Sequence, residues 1–161
     1  MIKILDKIDI SNVQKELDSY NLLNNPTCCL QGVTEDQDIF YGIGSVFDFN
    51  HNNKECSEQE KDFKIPLFDM PYINSIMEKY NMYRTRLMRQ TEVMCYTYHQ
   101  DFSSRIHIPV VTNENCLFIL EDKIHRLNSD GTVYWVDTTK KHTAVNASRK
   151  NRYHIVGCVN A

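Results

Sequence analysis

The amino-acid sequence predicts a mainly β fold, an antiparallel sandwich or jelly-roll barrel, and three observations carry that prediction. From residue 83 onward the chain breaks into seven short segments (86–98, 104–111, 115–120, 123–127, 132–136, 142–146 and 151–159), each rich in Val, Ile, Tyr and Thr. Turn signals separate them. The clearest is Asn128-Ser129-Asp130-Gly131, read as a hairpin turn in which Gly131 supplies positive φ. Helical periodicity is confined to stretches upstream, and closely spaced strands that follow a helix fit a jelly roll.

Taken in order, residues 10–24 (ISNVQKELDSYNLLN) predict a short helix, with Ser11 as N-cap and Val13, Leu17 and Tyr20 on one face. Residues 28–47 mix Gly, β-branched and aromatic residues and suggest one or two strands. Residues 48–62 (DFNHNNKECSEQEKD) are the most polar stretch, either a solvated loop or a flap over a site mouth. His51 and Cys56 lie in it and are too few for a metal site of their own. Residues 69–82 (DMPYINSIMEKYNM) predict a second helix, capped by Asp69, with Pro71 in its first turn and Ile73, Ile76, Met77 and Tyr80 sharing a face. The 161 residues suit a single domain, in which 1–83 flank the barrel and 84–159 form its core.

Bulk properties exclude several classes. A net charge of −3 argues against nucleic acid as a partner, because a general binder needs a basic surface to displace counterions. No apolar run approaches the roughly 20 residues that span a bilayer, so no membrane partner is expected. The amino terminus (MIKILDKIDI) carries acids among its apolar residues and lacks a signal-peptide cleavage site. The cysteines (28, 29, 56, 95, 116 and 158) form no CxxC pair and read as free, largely buried thiols of a cytoplasmic protein.

The chemistry concentrates in His99-Gln100-Asp101, with His142 far downstream and Arg152 ten residues after it. His99 and Asp101 are two apart where a strand ends, so both side chains point the same way, and His142 opens a later strand. Two imidazoles and one carboxylate are the donor set that holds non-haem ferrous iron while leaving positions open. Arg152, planar and permanently charged, suits the far carboxylate of a dicarboxylate co-substrate. An isolated HxD recurs by chance; the distal histidine and the arginine raise its specificity.

Three stretches, YHQDFSSRIHIPV (98–110), GTVYWVDTTKKHTAVNAS (131–148) and NRYHIV (151–156), resemble the aspartyl/asparaginyl β-hydroxylase family of Fe(II)- and 2-oxoglutarate-dependent oxygenases, within it the branch with free-proline hydroxylases. The resemblance covers residues 84–159 and implies a double-stranded β-helix of cupin type. It implies that His99, Asp101 and His142 bind iron and that Arg152 grips the distal carboxylate of 2-oxoglutarate. Arg105 and His107, the R-x-H after the first metal motif, would lie near the co-substrate's other carboxylate. Animal members have Gly at the acid position, whereas this chain keeps Asp101, so a full ligand set is expected. The implied cofactors are Fe(II), 2-oxoglutarate and O2, with ascorbate as a possible reductant. The implied products are succinate, CO2 and a hydroxylated amino acid, free or within a peptide.

Bland alternatives accompany each assignment. Arg105 could be a strand-surface arginine, His107 a hydrogen-bonded barrel residue, and His154 either pocket lining or packing. Trp135, Tyr134 and the aromatics of 96–102 read as core. Lys140, Lys141, Arg149, Lys150, Arg84, Arg86 and Arg89 form either a solvated rim or an electropositive mouth for a small-molecule or peptide substrate carrying a carboxylate. Arg86 and Asn146 are the candidate substrate contacts; Asn146 and Asp137 also match family positions, Asp137 structurally. Two other functions stay open: a cupin-like module that binds metal and a small acid without catalysis, and a metal-dependent isomerase or hydrolase. The N-terminal 80 or so residues resemble no named family and are expected to carry the substrate specificity, which fold analogy does not supply. The chain ends a few residues after its last predicted strand, without the C-terminal extension of some relatives.

Overall fold

The computed structural model describes residues 1–44 and 56–160. The polar stretch expected as a loop or flap is thus described only from Cys56; its earlier part, with His51, lies outside the described residues.

The chain opens with a strand, β1 (Ile2–Lys7), which the sequence reading passed over. It is an edge strand with mostly exposed side chains, so it lacks the one-sided apolar alternation that marks a half-buried strand. Helix α1 (Ile10–Ser19) follows, and its N-cap is Asp9 rather than Ser11: the Asp9 carboxylate accepts from the Ser11 N–H at 3.0 Å. Helix α2 (Pro71–Lys79) begins at Pro71 as expected, but Asp69 does not cap it. Glu16 of α1 instead accepts from the N–H groups of Tyr72 and Ile73 at 2.7 and 2.8 Å. One helix thereby satisfies the orphan donors of the other and places a negative charge at the positive end of its dipole.

The remaining strands are β2 (Cys28–Cys29), β3 (Gln31–Gly32), β4 (Ile65–Pro66), β5 (Tyr83–Gln90), β6 (Met94–Cys95), β7 (Ser104–Val111), β8 (Cys116–Leu120), β9 (Lys123–His125), β10 (Thr132–Val136), β11 (His142–Asn146) and β12 (Arg152–Val159). A six-stranded sheet runs β1-β10-β7-β12-β5-β2 and a four-stranded sheet β6-β11-β8-β9, both antiparallel, with β3 and β4 as a small ribbon. This is the predicted β-sandwich of jelly-roll form.

Two local expectations need correction. Segment 86–98 is not one strand: β5 belongs to the large sheet and β6 to the small one, and the chain changes sheets through Val93, whose φ is 49°. The turn at 128–131 is not a hairpin either, since β9 and β10 lie in different sheets. Gly131 does take positive φ, 88°, and its bare Cα lets the Ile8 carbonyl approach where a Cβ would collide. The real two-residue hairpin joins β8 to β9 through Glu121 and Asp122, both at positive φ (49° and 64°) as a type I′ turn requires. No Gly or Asn marks it.

Strand alternation divides the large sheet by chemistry. Leu87, Ile106, Ile108, Val110, Tyr153 and Ile155 face the helices and form one core with Val13, Leu17, Ile73, Ile76 and Met77. The intervening residues Arg86, Met88, Arg105, His107, Arg152 and Val156 face the small sheet and line the cavity between the two sheets. A smaller core of Phe118, Leu120, Leu127, Tyr134, Val136 and Ala144 closes the sandwich beside that cavity. The sheets therefore supply a dry face for stability and a polar face for chemistry. All six cysteines are free, and five are buried.

Candidate functional site

His99 and His142 meet across an isolated antiparallel bridge, where each N–H donates to the other's carbonyl, at 3.0 and 2.8 Å. Asp101 follows in the same turn and its N–H donates to the Thr138 carbonyl. The potential ligand atoms of His99, Asp101 and His142 all lie within 4.8 Å of one another. Asp101 Oδ1 is 3.7 Å from His99 Nε2, and its Oδ2 is 3.6 Å from His142 Nε2.

The histidine rings are set for metal binding. Nδ1 of His99 faces the Thr97 carbonyl at 2.7 Å, and Nδ1 of His142 faces the Lys140 carbonyl at 2.9 Å. A carbonyl accepts only, so each Nδ1 carries the proton and each Nε2 presents its lone pair toward Asp101. Burial lowers the His142 pKa despite its carbonyl partner and Asp101, which favours the neutral ligand form. Phe118 stacks on the His142 ring at 5.6 Å and fixes its plane. Side-chain exposure falls from 41 % at His99 through 23 % at Asp101 to 7 % at His142, so the cluster opens to solvent on the His99 side. The donor set, the tautomers and the spacing fit one divalent ion with nitrogen and oxygen ligands.

All three residues line a cavity of about 870 Å³. Four arginines line it too, Arg84, Arg86, Arg105 and Arg152, against the carboxylates of Glu60 and Asp101. Arg152 is buried at the inner end. Its NH1 donates to Gln90 Oε1 at 3.3 Å and its NH2 to His154 Nδ1 at 2.8 Å, and no carboxylate among the described residues pairs with it. Burial lowers its pKa to about 10, so it stays a cation at neutral pH. Gln90 is itself held, its Nε2 donating to the Ala144 carbonyl at 2.7 Å. Burial, followed by the charge of Arg152, pushes the His107 and His154 pKa values well below the ordinary histidine range. His107 lines the cavity; His154 does not, and supports Arg152 instead.

Arg105, expected near the co-substrate's other carboxylate, lines the cavity beside Asp101 and is held there by protein partners. Its Nε lies 3.3 Å from Asp101 Oδ2, its NH2 donates to Glu60 Oε1 at 2.6 Å, and its NH1 donates to Ser103. Those partners occupy the guanidinium. Asn146, expected as a substrate contact, does not line the cavity. It is fully buried away from the cavity, its Nδ2 donating to the carbonyls of Gln90, Thr91 and Lys150 while its Oδ1 accepts from Ser148 N–H and Oγ. Asp137 accepts from Thr139 Oγ1 in a turn, a structural role. The expected rim also divides: Lys140, Lys141, Arg149 and Lys150 are exposed and do not line this cavity, whereas Arg84 and Arg86 form buried cavity wall. Phe102 and Tyr98, read as core, are exposed, at 74 % and 45 %.

Glu60 is a cavity residue that the sequence does not single out, and Arg84, expected only in a rim or mouth, is buried cavity wall. Glu60 sits in a 3₁₀ turn (Glu60–Asp62) within the most polar stretch, where one acid among many gives no signal. Arg84 precedes the predicted strand start; it has φ 45° and donates to the carbonyls of Gly42 and Gly44 and to Glu60. The parity of Arg84, Arg86, Met88 and Gln90 along β5 would have marked it.

No helix among the described residues is long and apolar enough to cross a membrane. No curated protein matches the chain. The family model described as aspartyl/asparaginyl beta-hydroxylase matches residues 49–159, which take in every member of the His99–Asp101–His142 cluster together with Arg105, His107 and Arg152. A match over more than half of the sequence, on the residues that build the site, shows that the chain belongs to the aspartyl/asparaginyl β-hydroxylase family.

Proposed function

We propose that the protein is an Fe(II)- and 2-oxoglutarate-dependent dioxygenase that hydroxylates an unactivated C–H of an amino acid, free or in a peptide. The observation that carries this reading is Arg152, a buried cation without a carboxylate partner among the described residues, in the same cavity as the His-Asp-His cluster. A buried charge left unpaired costs several kcal/mol, of order 3–5 when one partner of a buried pair is removed, so such a site is built for an anion.

His99, Asp101 and His142 would hold the iron. When bound, iron with O2 and 2-oxoglutarate supplies the oxidising chemistry, yielding succinate, CO2 and the hydroxylated product. Arg152 binds the distal carboxylate of 2-oxoglutarate through donors that Gln90 and His154 hold in place. His107 and His154 stay neutral, so they neither compete with Arg152 for the anion nor add charge beside it. Arg86 is a second cation without a carboxylate partner among the described residues. It is 8 % exposed, its NH1 donates to the Ile43 carbonyl at 2.8 Å, and its Nε has no partner among the described residues. That leaves it to take the carboxylate of the substrate, and it sits four residues along the β5–β12 pair from Arg152, since Arg86 opposes Val156 and Gln90 opposes Arg152. Four residues of strand are roughly 13 Å, enough for the two anions to bind side by side. The free thiols suit a reducing, intracellular setting.

The test is succinate formation from 2-oxoglutarate with Fe(II) and ascorbate, comparing wild type with His99→Ala. It is screened across amino acids and short acidic peptides, with mass detection of an added oxygen. Turnover lost in His99→Ala supports the dioxygenase; no turnover in the wild type would leave a metal- and acid-binding module. Co-substrate consumption without any oxygenated product would keep the dioxygenase and reject the amino-acid substrate.

A further inference from the structure

The ion-pair chain that begins at Asp101 does not end at Arg105. Arg105 Nε reaches Asp101 Oδ2 at 3.3 Å, and its NH2 is held by Glu60 Oε1 at 2.6 Å. The Glu60 carboxylate is fixed on its other sides by Ser103 Oγ at 2.9 Å and Arg84 NH1 at 3.3 Å. Burial alone would raise the Glu60 pKa, but Arg105, the Ser103 hydroxyl and Arg84 hold it below the usual carboxylate range, so it is ionised. Its turn is pinned at Gln59, whose N–H donates to Asp62 Oδ2 at 2.8 Å and whose carbonyl accepts from the Asp62 N–H at 3.0 Å.

We propose that Glu60 is a positioning residue for the metal centre: acting through Arg105, it orients the Asp101 carboxylate and balances the cation beside it. The inference rests on the reading of His99, Asp101 and His142 as metal ligands. An arginine 3.3 Å from a ligand carboxylate draws on the electron density that the ion needs, and Arg84 adds a second positive charge nearby. Glu60 offsets both. It also holds the guanidinium plane, so that Nε meets Oδ2 alone and the carboxylate cannot rotate away from the histidines. Remove its charge and Arg105 turns more fully onto Asp101, in direct competition with the ion. Ligand orientation through an outer carboxylate is a known determinant of metal affinity. Because Glu60 comes from the polar stretch before β4, that stretch contributes to the metal centre rather than only to its mouth.

The test is Mn(II) binding to metal-free full-length protein, followed through the electron paramagnetic resonance signal of free Mn(II). Glu60→Gln is expected to weaken Mn(II) binding about tenfold, the low end for an outer-shell partner. In an Arg105→Met background the same change is expected to cost less than about threefold, because the residue it acts through is gone. Glu60→Asp keeps the charge but falls one methylene short of Arg105, and is expected to lie between wild type and Glu60→Gln. Should Glu60→Gln not fold, the aspartate variant supplies the same readout. Wild-type affinity in either folded variant, or an equal loss with and without Arg105, overturns the proposal. Wild-type protein that binds no Mn(II), or binds it equally after His142→Ala, overturns the metal reading itself and the proposal with it.

Discussion

His99 and His142 are clamped backbone to backbone, each donating its N–H to the other's carbonyl, although they come from distant parts of the chain. The two imidazoles are thus set by the sandwich itself rather than by a flexible loop. A site held in this way stabilises the fold when it is filled. A divalent ion at about 100-fold over its Kd should raise unfolding stability by roughly 2.7 kcal/mol. Urea melts with and without Mn(II) check this, and His142→Ala should melt at the same point in both.

Arg152 should not tolerate lysine. The guanidinium can give a carboxylate two parallel hydrogen bonds, and an ammonium gives only a point charge. Arg152→Lys is expected to raise the KM for 2-oxoglutarate by about tenfold or more, from the loss of roughly 1.5–3 kcal/mol of charge-assisted bonding. Arg152→Met should be worse. Initial rates of 2-oxoglutarate consumption against its concentration measure both.

Asn146→Ala should damage stability and spare the site. The amide closes a loop by donating to three backbone carbonyls and accepting from Ser148, and none of these groups lines the cavity. Leaving buried carbonyls unsatisfied costs about 1–3 kcal/mol. The urea midpoint should fall while the KM values of the folded fraction stay at wild type; a selective change in substrate KM would restore Asn146 to the site.

Acid should destabilise the protein below about pH 6.5, the ordinary histidine pKa. His107 and His154 have folded pKa values well below that value, so the unfolded chain binds protons there that the folded chain refuses. Stability is therefore full above the unfolded pKa and lost as pH falls beneath it, by about 1 kcal/mol per histidine for each pH unit. The lowered pKa values of Glu60 and Asp130 act in the same direction, nearer the carboxylate range. Denaturant melts at pH 7.5, 6 and 5 test the slope, and a flat profile would contradict buried neutral rings.

Much of this architecture was readable in advance because its strands are amphipathic. Segments 104–111, 132–136 and 142–146 match β7, β10 and β11 residue for residue, since their alternation and flanking turns are strong. β1 stayed hidden because an exposed edge strand has no apolar face to show, and the β8–β9 turn because Glu121 and Asp122 adopt a backbone that Gly or Asn normally announces. The convergence of His99, Asp101 and His142 in one cavity with Arg152 could be anticipated from residue type and spacing. The partners of Arg105 could not, because Glu60 is brought to it by tertiary folding across a separation of 45 residues, which no local pattern spans.

The parity of β12 has a practical consequence. Tyr153 and Ile155 belong to the core against the helices, whereas Arg152 and Val156 look into the cavity. A randomised library confined to the cavity-facing parity of β5, β7 and β12, with Arg84, Gln90, Arg105, Arg152 and His154 kept fixed, would sample new substrates on an intact scaffold. Shifting the same mutations by one residue would yield mostly insoluble protein.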